Sequence, residues 1–289
     1  MVIKKVGVIG CGLMGHGIAQ VAAQAGFEVI VRESAQEPLD KGLGRIGKSL
    51  NKLVEKEKLT REVADASLAR LTGTLELADL ADCDLVVEAI IEDLAIKSDL
   101  YANLGKLCKP ETIFATNTSS FPVAEMGAAS GRPANMVGLH FFNPVQLMKL
   151  VEVVRTPETD EAVYAEAKAF GESVGKVPVA ASDTPGFVVN RLLVPYMADA
   201  MRMVERGDST PADVDAGMSL GCGYPMGPFT LTDYVGLDTT LSILEGWHER
   251  FPEDPTFVPP QILKDKVAAG KLGRKTGEGF FKWEGDKRA

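Results

Sequence analysis

The sequence predicts an α/β protein in which a doubly wound, mainly parallel sheet is followed by an all-α C-terminal domain. Three observations carry this expectation. Short apolar, β-branched runs alternate with helix-forming segments over roughly the first two thirds of the 289 residues. A glycine-rich turn joins the first of these runs to the first helix. Strand patterning then ceases near residue 182 and helical sequence takes over, dividing the chain into segments 1–182 and 183–289.

Taken in order, Val6 to Ile9 is an apolar run that meets Gly10-Cys-Gly-Leu-Met-Gly15 and passes into a helix-forming segment ending near Gly26. A second β-branched run, from Glu28 to Glu33, then places an acid 18 positions beyond Gly15. These are the parts of a dinucleotide fingerprint. Gly10, Gly12, Leu13, Met14 and Gly15 make the tight turn and let backbone approach a pyrophosphate, the helix N-terminus faces its charge, and the acid meets the ribose hydroxyls. A nicotinamide or flavin cofactor is expected on a Rossmann-type sheet. Glu33 favours NAD because a carboxylate repels a 2′-phosphate, while Arg32 beside it leaves NADP open.

From Leu39 to Leu59 a helical segment has two unlike faces at 3.6 residues per turn. Lys41, Arg45, Lys48, Lys52 and Lys56 share one stripe with Ser49 at its edge, and Leu39, Leu43, Ile46, Leu50, Leu53 and Val54 occupy the other side. The plainer reading is a solvated face opposite a packed one. In a chain of net charge −9, however, such a stripe is also a local site for a polyanion such as nucleotide phosphates.

Further strands are expected at Asp84 to Glu88, Thr112 to Ala115 and Met136 to Leu139. In doubly wound sheets ligands sit beyond the carboxyl ends of the strands, where Thr116 to Ser120 and the segment from His140 begin. His140 is one of three histidines and precedes Glu152 by twelve residues. A carboxylate bonded to one ring nitrogen fixes the tautomer, so the other can accept a proton. After Asp183, helices are expected over Val188 to Arg206, Pro211 to Leu220 and Leu231 to Phe251, and Pro252 to Pro260 reads as a loop.

Composition excludes several classes. The acidic balance disfavours nucleic acid and anionic membranes, and no apolar run is long enough to span a bilayer. The four cysteines have neither metal-ligand spacing nor a disulfide pattern, which points to a reduced interior and no metal. Strand-like sequence beginning at Val2 leaves no room for a targeting peptide, so a cytoplasmic location is expected.

The glycine turn, Val86 to Glu92 with Lys97, Asn117-Thr-Ser-Ser120, His140-Phe-Phe-Asn-Pro144, Asp183 to Arg191 and Gly273 to Phe280 together resemble the ordered signatures of 3-hydroxyacyl-CoA dehydrogenases, over nearly the whole chain. The length, without a fused hydratase, is most like the bacterial 3-hydroxybutyryl-CoA dehydrogenases. The resemblance implies that His140 is the general base for a 3-hydroxyl, that Glu152 orients it, and that Ser119 and Asn190 hold the substrate oxygen. It further implies cofactor contacts at Gly10, Gly12, Leu13, Met14, Gly15, Glu33, Glu92, Lys97, Ser119, Asn143 and Lys275, and coenzyme A contacts at Ser49 and Lys56. A second domain that closes over the cofactor and forms a homodimer is implied as well. Two positions depart from the pattern: Arg32-Glu33 replaces an apolar-aspartate pair, and Gln146 stands where proline is usual.

The activity so implied is NAD-dependent oxidation of a short-chain L-3-hydroxyacyl-CoA to the 3-keto product, and its reverse, in fatty-acid or butanoate metabolism. One rival is a β-hydroxyacid dehydrogenase acting on a free acid. Its catalytic lysine has no counterpart between Asp183 and Asn190. Another is a non-catalytic, crystallin-like nucleotide binder.

Overall fold

A computed structural model describes residues 3–289, so the strand start read at Val2 lies in part outside the described residues. The chain divides into two compact units, the first running through Phe187 and the second comprising Val188–Ala289. The last strand of the first unit ends at Ser182, yet the turn after it stays with that unit. Asp183 caps a helix there by accepting from the amides of Val123 and Ala124, each at 2.9 Å, and Phe187 is buried in the same core.

The first unit is built on an eight-stranded sheet in the order β3-β2-β1-β4-β5-β6-β7-β8. The strands are β1 (Lys5–Ile9), β2 (Glu28–Arg32), β3 (Leu71–Thr74), β4 (Leu85–Glu88), β5 (Ile113–Thr116), β6 (Met136–Phe141), β7 (Leu150–Arg155) and β8 (Val177–Ser182). Strands β1 to β6 pair in parallel, β7 runs antiparallel to β6, and β8 is parallel to β7. Strand order reverses between β1 and β4, the switch point at which such sheets open a crevice.

The central strands read as unbroken apolar runs because each face is covered, and their period of two deals side chains to two layers. Val6, Val8, Val29, Val31, Leu85, Val87, Ile113 and Ala115 enter one core, against α1 (Gly15–Gln24), α2 (Gln36–Glu55), α3 (Arg61–Ala69) and α6 (Glu161–Ser173). Their alternates Ile9, Ile30, Val86 and Phe114 enter the other, against α4 (Leu94–Leu107) and α5 (Val123–Ser130). Each such Val, Leu or Ile contributes about 1.5–3 kcal/mol by leaving water.

The second unit has its own core, around Val194, Met197, Met201, Phe229, Leu244 and Phe257. Its helices are α7 (Val189–Glu205), α8 (Pro211–Cys222), α9 (Pro228–Val235), α10 (Leu237–Arg250) and α11 (Gln261–Ala268), followed by a small hairpin of β9 (Trp283–Glu284) and β10 (Lys287–Arg288). The single helix expected from Leu231 to Phe251 is two, because Gly236 breaks it at φ 105°. The loop expected from Pro252 to Pro260 contains a 3-10 turn at Pro255–Phe257. Buried Asp233 pins the C-terminal segment by accepting from the amides of Phe280 and Phe281 and from the Trp283 indole.

Candidate active site

The glycine turn lies between β1 and α1. Gly10 has φ +90°, a left-handed value that favours glycine, and a Cβ there would run into the Ala89 backbone. A Cβ on Gly15 would overlap the Gly10 carbonyl oxygen, so the third glycine is needed for the helix to start against the strand. Gly12 differs, because nothing lies within 4 Å of the place its Cβ would take. Its substitution costs the fold nothing and intrudes on open space above the turn. Leu13 is exposed and Met14 half-buried beside it.

Glu33 directly follows β2 and reaches back to the turn. Its Oε1 accepts from the Cys11 amide at 2.6 Å and its Oε2 from the Ser34 amide at 3.1 Å. Arg32 donates through Nε to the Leu75 carbonyl at 3.3 Å. Open space over the glycine backbone, flanked by a carboxylate held in place, fits a dinucleotide with free ribose hydroxyls.

Beyond the carboxyl ends of β4 and β5 lies a polar cluster. Glu88 ends β4, Thr116 ends β5, and Lys97 projects from α4. The Lys97 ammonium lies 2.6 Å from Glu88 Oε1 and 3.1 Å from Glu92 Oε2. Glu92 Oε1 in turn accepts from Thr118 Oγ1 at 2.5 Å, the Ser119 amide at 3.0 Å and Ser120 Oγ at 3.1 Å. Burial alone would raise the Glu92 carboxyl, but Lys97 and the donors from Thr118 and Ser119 outweigh it and hold the group below the usual carboxylate range. Ser119 itself is half-buried at this edge.

His140 and Glu152 are direct register partners on β6 and β7, so twelve residues of sequence become one cross-strand step. Nδ1 of His140 lies 2.6 Å from Oε2 of Glu152. A carboxylate only accepts, which makes Nδ1 the donor and leaves Nε2 with its lone pair. Glu152 is fully buried and His140 is 6% exposed. The imidazole sits between two aromatic rings, Phe142 at 4.6 Å and Phe187 at 5.6 Å between centroids. Phe187 takes φ +55°, a strained value for a bulky residue, to bring its ring there. Gly138 admits this pairing because a Cβ would press on Val154, its register partner.

The connection from β6 to β7 carries the exposed Asn143, whose peptide bond to Pro144 is cis. Gln146, at the position where proline is usual, donates to Gln20 of α1 at 3.1 Å. Lys176 braces the same connection, donating to the carbonyls of Val145 at 2.5 Å and Met148 at 2.9 Å, and its burial lowers its pKa. Asn117 ties the neighbouring loop to β6 by accepting from the Phe141 amide at 2.9 Å.

The remaining residues singled out by the sequence are found on α2 and in the second unit. Arg45, Lys48, Lys52 and Lys56 are exposed along α2, with Ser49 half-buried, while Leu39, Ile46 and Leu50 are buried. Two details correct the expected stripe. The helix ends at Glu55 rather than near Leu59, leaving Lys56 at its cap, and Lys41 is paired at 2.6 Å with Glu37 one turn earlier. In the second unit, Asn190 is half-buried in the first turn of α7, and Lys275 is paired with Asp238 at 2.5 Å. Sequence reasoning missed Glu88, Phe142, Phe187 and Lys176 as parts of this neighbourhood. Only Glu88 carried a signal, as an acid closing an otherwise apolar strand.

A doubly wound sheet with a dinucleotide turn at its switch point, and a carboxylate-backed imidazole at the carboxyl end of β6, defines an NAD-binding oxidoreductase. Residues 5–184 match the 3-hydroxyacyl-CoA dehydrogenase NAD binding domain and residues 186–283 match the 3-hydroxyacyl-CoA dehydrogenase C-terminal domain. The chain belongs to the 3-hydroxyacyl-CoA dehydrogenase family. It is 48% identical to the 3-hydroxybutyryl-CoA dehydrogenase of Mycobacterium tuberculosis, covering 96% of this chain and 98% of that one. It is likewise 48% identical to the mitochondrial hydroxyacyl-coenzyme A dehydrogenase of Rattus norvegicus, over 98% of this chain and 92% of the other. Among solved structures, (S)-3-hydroxybutyryl-CoA dehydrogenase from Ralstonia eutropha superposes with a TM-score of 0.94 at 38% identity, covering 98% of this chain and 99% of that one. Membership of this family speaks against the rival family with its catalytic lysine.

Proposed function

We propose that this enzyme oxidises short-chain L-3-hydroxyacyl-CoA, with 3-hydroxybutyryl-CoA as its model substrate, to the 3-keto thioester, and catalyses the reverse reduction. The observation that carries this reading is the His140 and Glu152 pair at 2.6 Å, held across β6 and β7 of the sheet that bears the dinucleotide turn. NAD, when bound, supplies the hydride acceptor; Gly10, Gly12, Gly15 and Glu33 would hold it, with Glu92 and Asn143 nearby in sequence to the same strand ends. Nε2 of His140 takes the proton of the 3-hydroxyl, and the buried Glu152 carboxylate stabilises the imidazolium so formed. Ser119 donates to the oxygen that becomes a carbonyl. Phe142 and Phe187 keep water from the imidazole.

We assign the exposed cations of α2 to the phosphates of coenzyme A. NAD is preferred over NADP, a reading supported by Glu33 at the turn and by Arg32 being tied to the Leu75 carbonyl. A cytoplasmic setting is supported by four free cysteines, three of them buried, and by the absence of any helix among the described residues long and apolar enough to cross a membrane. A homodimer is supported by exposed apolar residues of the second unit, Leu192 and Leu220 foremost.

The test is turnover. Purified protein given acetoacetyl-CoA should consume NADH, and NADPH more slowly; no turnover with either cofactor would refute the reading. Light scattering should give a mass twice that of the 30.9 kDa chain, and a monomer would refute the dimer.

A further inference from the structure

The Glu88 and Lys97 pair takes no direct part in the chemistry proposed above, and its burial needs a reason. Its side chains are 0% and 1% exposed. Removing two charges from water offsets most of their mutual attraction, so a packed apolar pair would serve stability equally well. What the pair holds is therefore informative. Glu88 Oε1 also accepts from the Ile90 amide at 2.8 Å and Oε2 from Thr116 Oγ1 at 2.8 Å, so the carboxylate is fixed across the ends of β4 and β5. The Lys97 ammonium is fixed by Glu88 and spends its remaining reach on Glu92. Glu92 is the one member facing solvent, at 37% exposure, and its free oxygen gathers Thr118, Ser119 and Ser120. From the other side, Asn117 donates its amide to the Glu88 carbonyl at 2.8 Å and accepts from Phe141, next to His140.

We infer that Glu88 and Lys97 are positioning residues for the Ser119 loop, acting through Glu92, so that the loop's place relative to His140 is set from inside the sheet. The inference rests on the reading of Ser119 and His140 as parts of the oxidoreductase site. The Lys97 ammonium is held between two carboxylates, Glu88 and Glu92.

Three variants test this. Glu88→Gln keeps the shape but turns one accepting oxygen into an amide that must face either Lys97 or Thr116. Lys97→Met leaves two carboxylates without their cation. The double variant removes both charges. Turnover by the unmodified enzyme reports on the functional reading alone. Each single variant should lose roughly ten- to hundredfold in kcat. The double variant should regain melting temperature relative to Lys97→Met while kcat stays down, because Glu92 is no longer held. Wild-type kcat in Glu88→Gln, or recovery of kcat together with melting temperature in the double variant, overturns the inference. Glu92→Ala probes the same chain from its solvent-facing end should the buried variants fail to fold, and a wild-type rate there overturns it equally. Amide hydrogen exchange judges the positioning without any turnover: exchange at residues 118–121 should quicken in Glu88→Gln, and unchanged protection overturns the inference.

Discussion

At the scale of single residues, the glycine turn separates what the fold needs from what the cofactor needs. Gly15→Ala forces a Cβ into the Gly10 carbonyl and should lower the melting temperature by several degrees. Gly12→Ala meets no atom, so its melting temperature should stay within about 2 °C of the parent. Its NADH affinity should nevertheless fall at least tenfold, as read by fluorescence titration; unchanged affinity would mean that the space above the turn is not the cofactor's. The cysteines make a second residue-scale case. Burial, reinforced by Glu33 at Cys11, pushes the thiols of Cys11 and Cys83 up to about 12, and burial pushes Cys108 up to about 11, whereas Cys222 is exposed. Because the thiolate is the reactive form, native protein should show one fast thiol with a disulfide reagent and four after unfolding. The residues visible in the sequence were those whose type already suggests a task, such as Gly10, Glu33, His140 and Glu152. Phe187 and Lys176 act only by where the chain brings them, and neither has a spacing that reports it.

At the scale of elements, the basic face of α2 and the β6 and β7 pair carry the argument. Arg45, Lys48, Lys52 and Lys56 lie exposed along one side of α2, whereas Lys41 is already matched by Glu37. Replacing Lys48, Lys52 and Lys56 together by Ala should raise the KM for acyl-CoA by roughly tenfold or more and flatten its dependence on salt. Replacing Lys41 alone should do much less. If the triple variant keeps the parent KM, the stripe is merely a solvated face. Period reasoning found β1, β2, β4, β5, β6 and α1 because their apolar runs stand clear between turn residues. It did not separate out β7, because no turn residue between Val145 and Leu150 marks where that strand begins, nor the largely exposed β3. The antiparallel step that brings Glu152 opposite His140 therefore had to be seen in the structure. The break between α9 and α10 went unseen because one glycine in a helical pattern is ordinarily tolerated.

At the scale of the whole molecule, pH acts through carboxyls held below their ordinary values. Asp254 is lowered to about 2, by hydrogen bonds from Thr256 and Arg191. Asp84 and Glu92 are lowered as well, where ion pairing with Lys109 and Lys97 overcomes burial. A group whose folded pKa is depressed contributes stability that is complete above its unfolded value and is lost as pH falls through the folded one. The melting temperature should thus be level down to about pH 5 and decline between about pH 4 and 2. A decline already complete at pH 5 would contradict this account. Turnover is likewise a property of the assembled molecule, and the claim at its centre is that His140, backed by Glu152, is the base. The most direct test is His140→Gln, with kcat measured for acetoacetyl-CoA reduction and NADH affinity measured beside it. The account predicts that kcat drops by about 10²–10⁴-fold while NADH affinity changes less than about twofold. Retained kcat, or loss of NADH binding in step with activity, would contradict it.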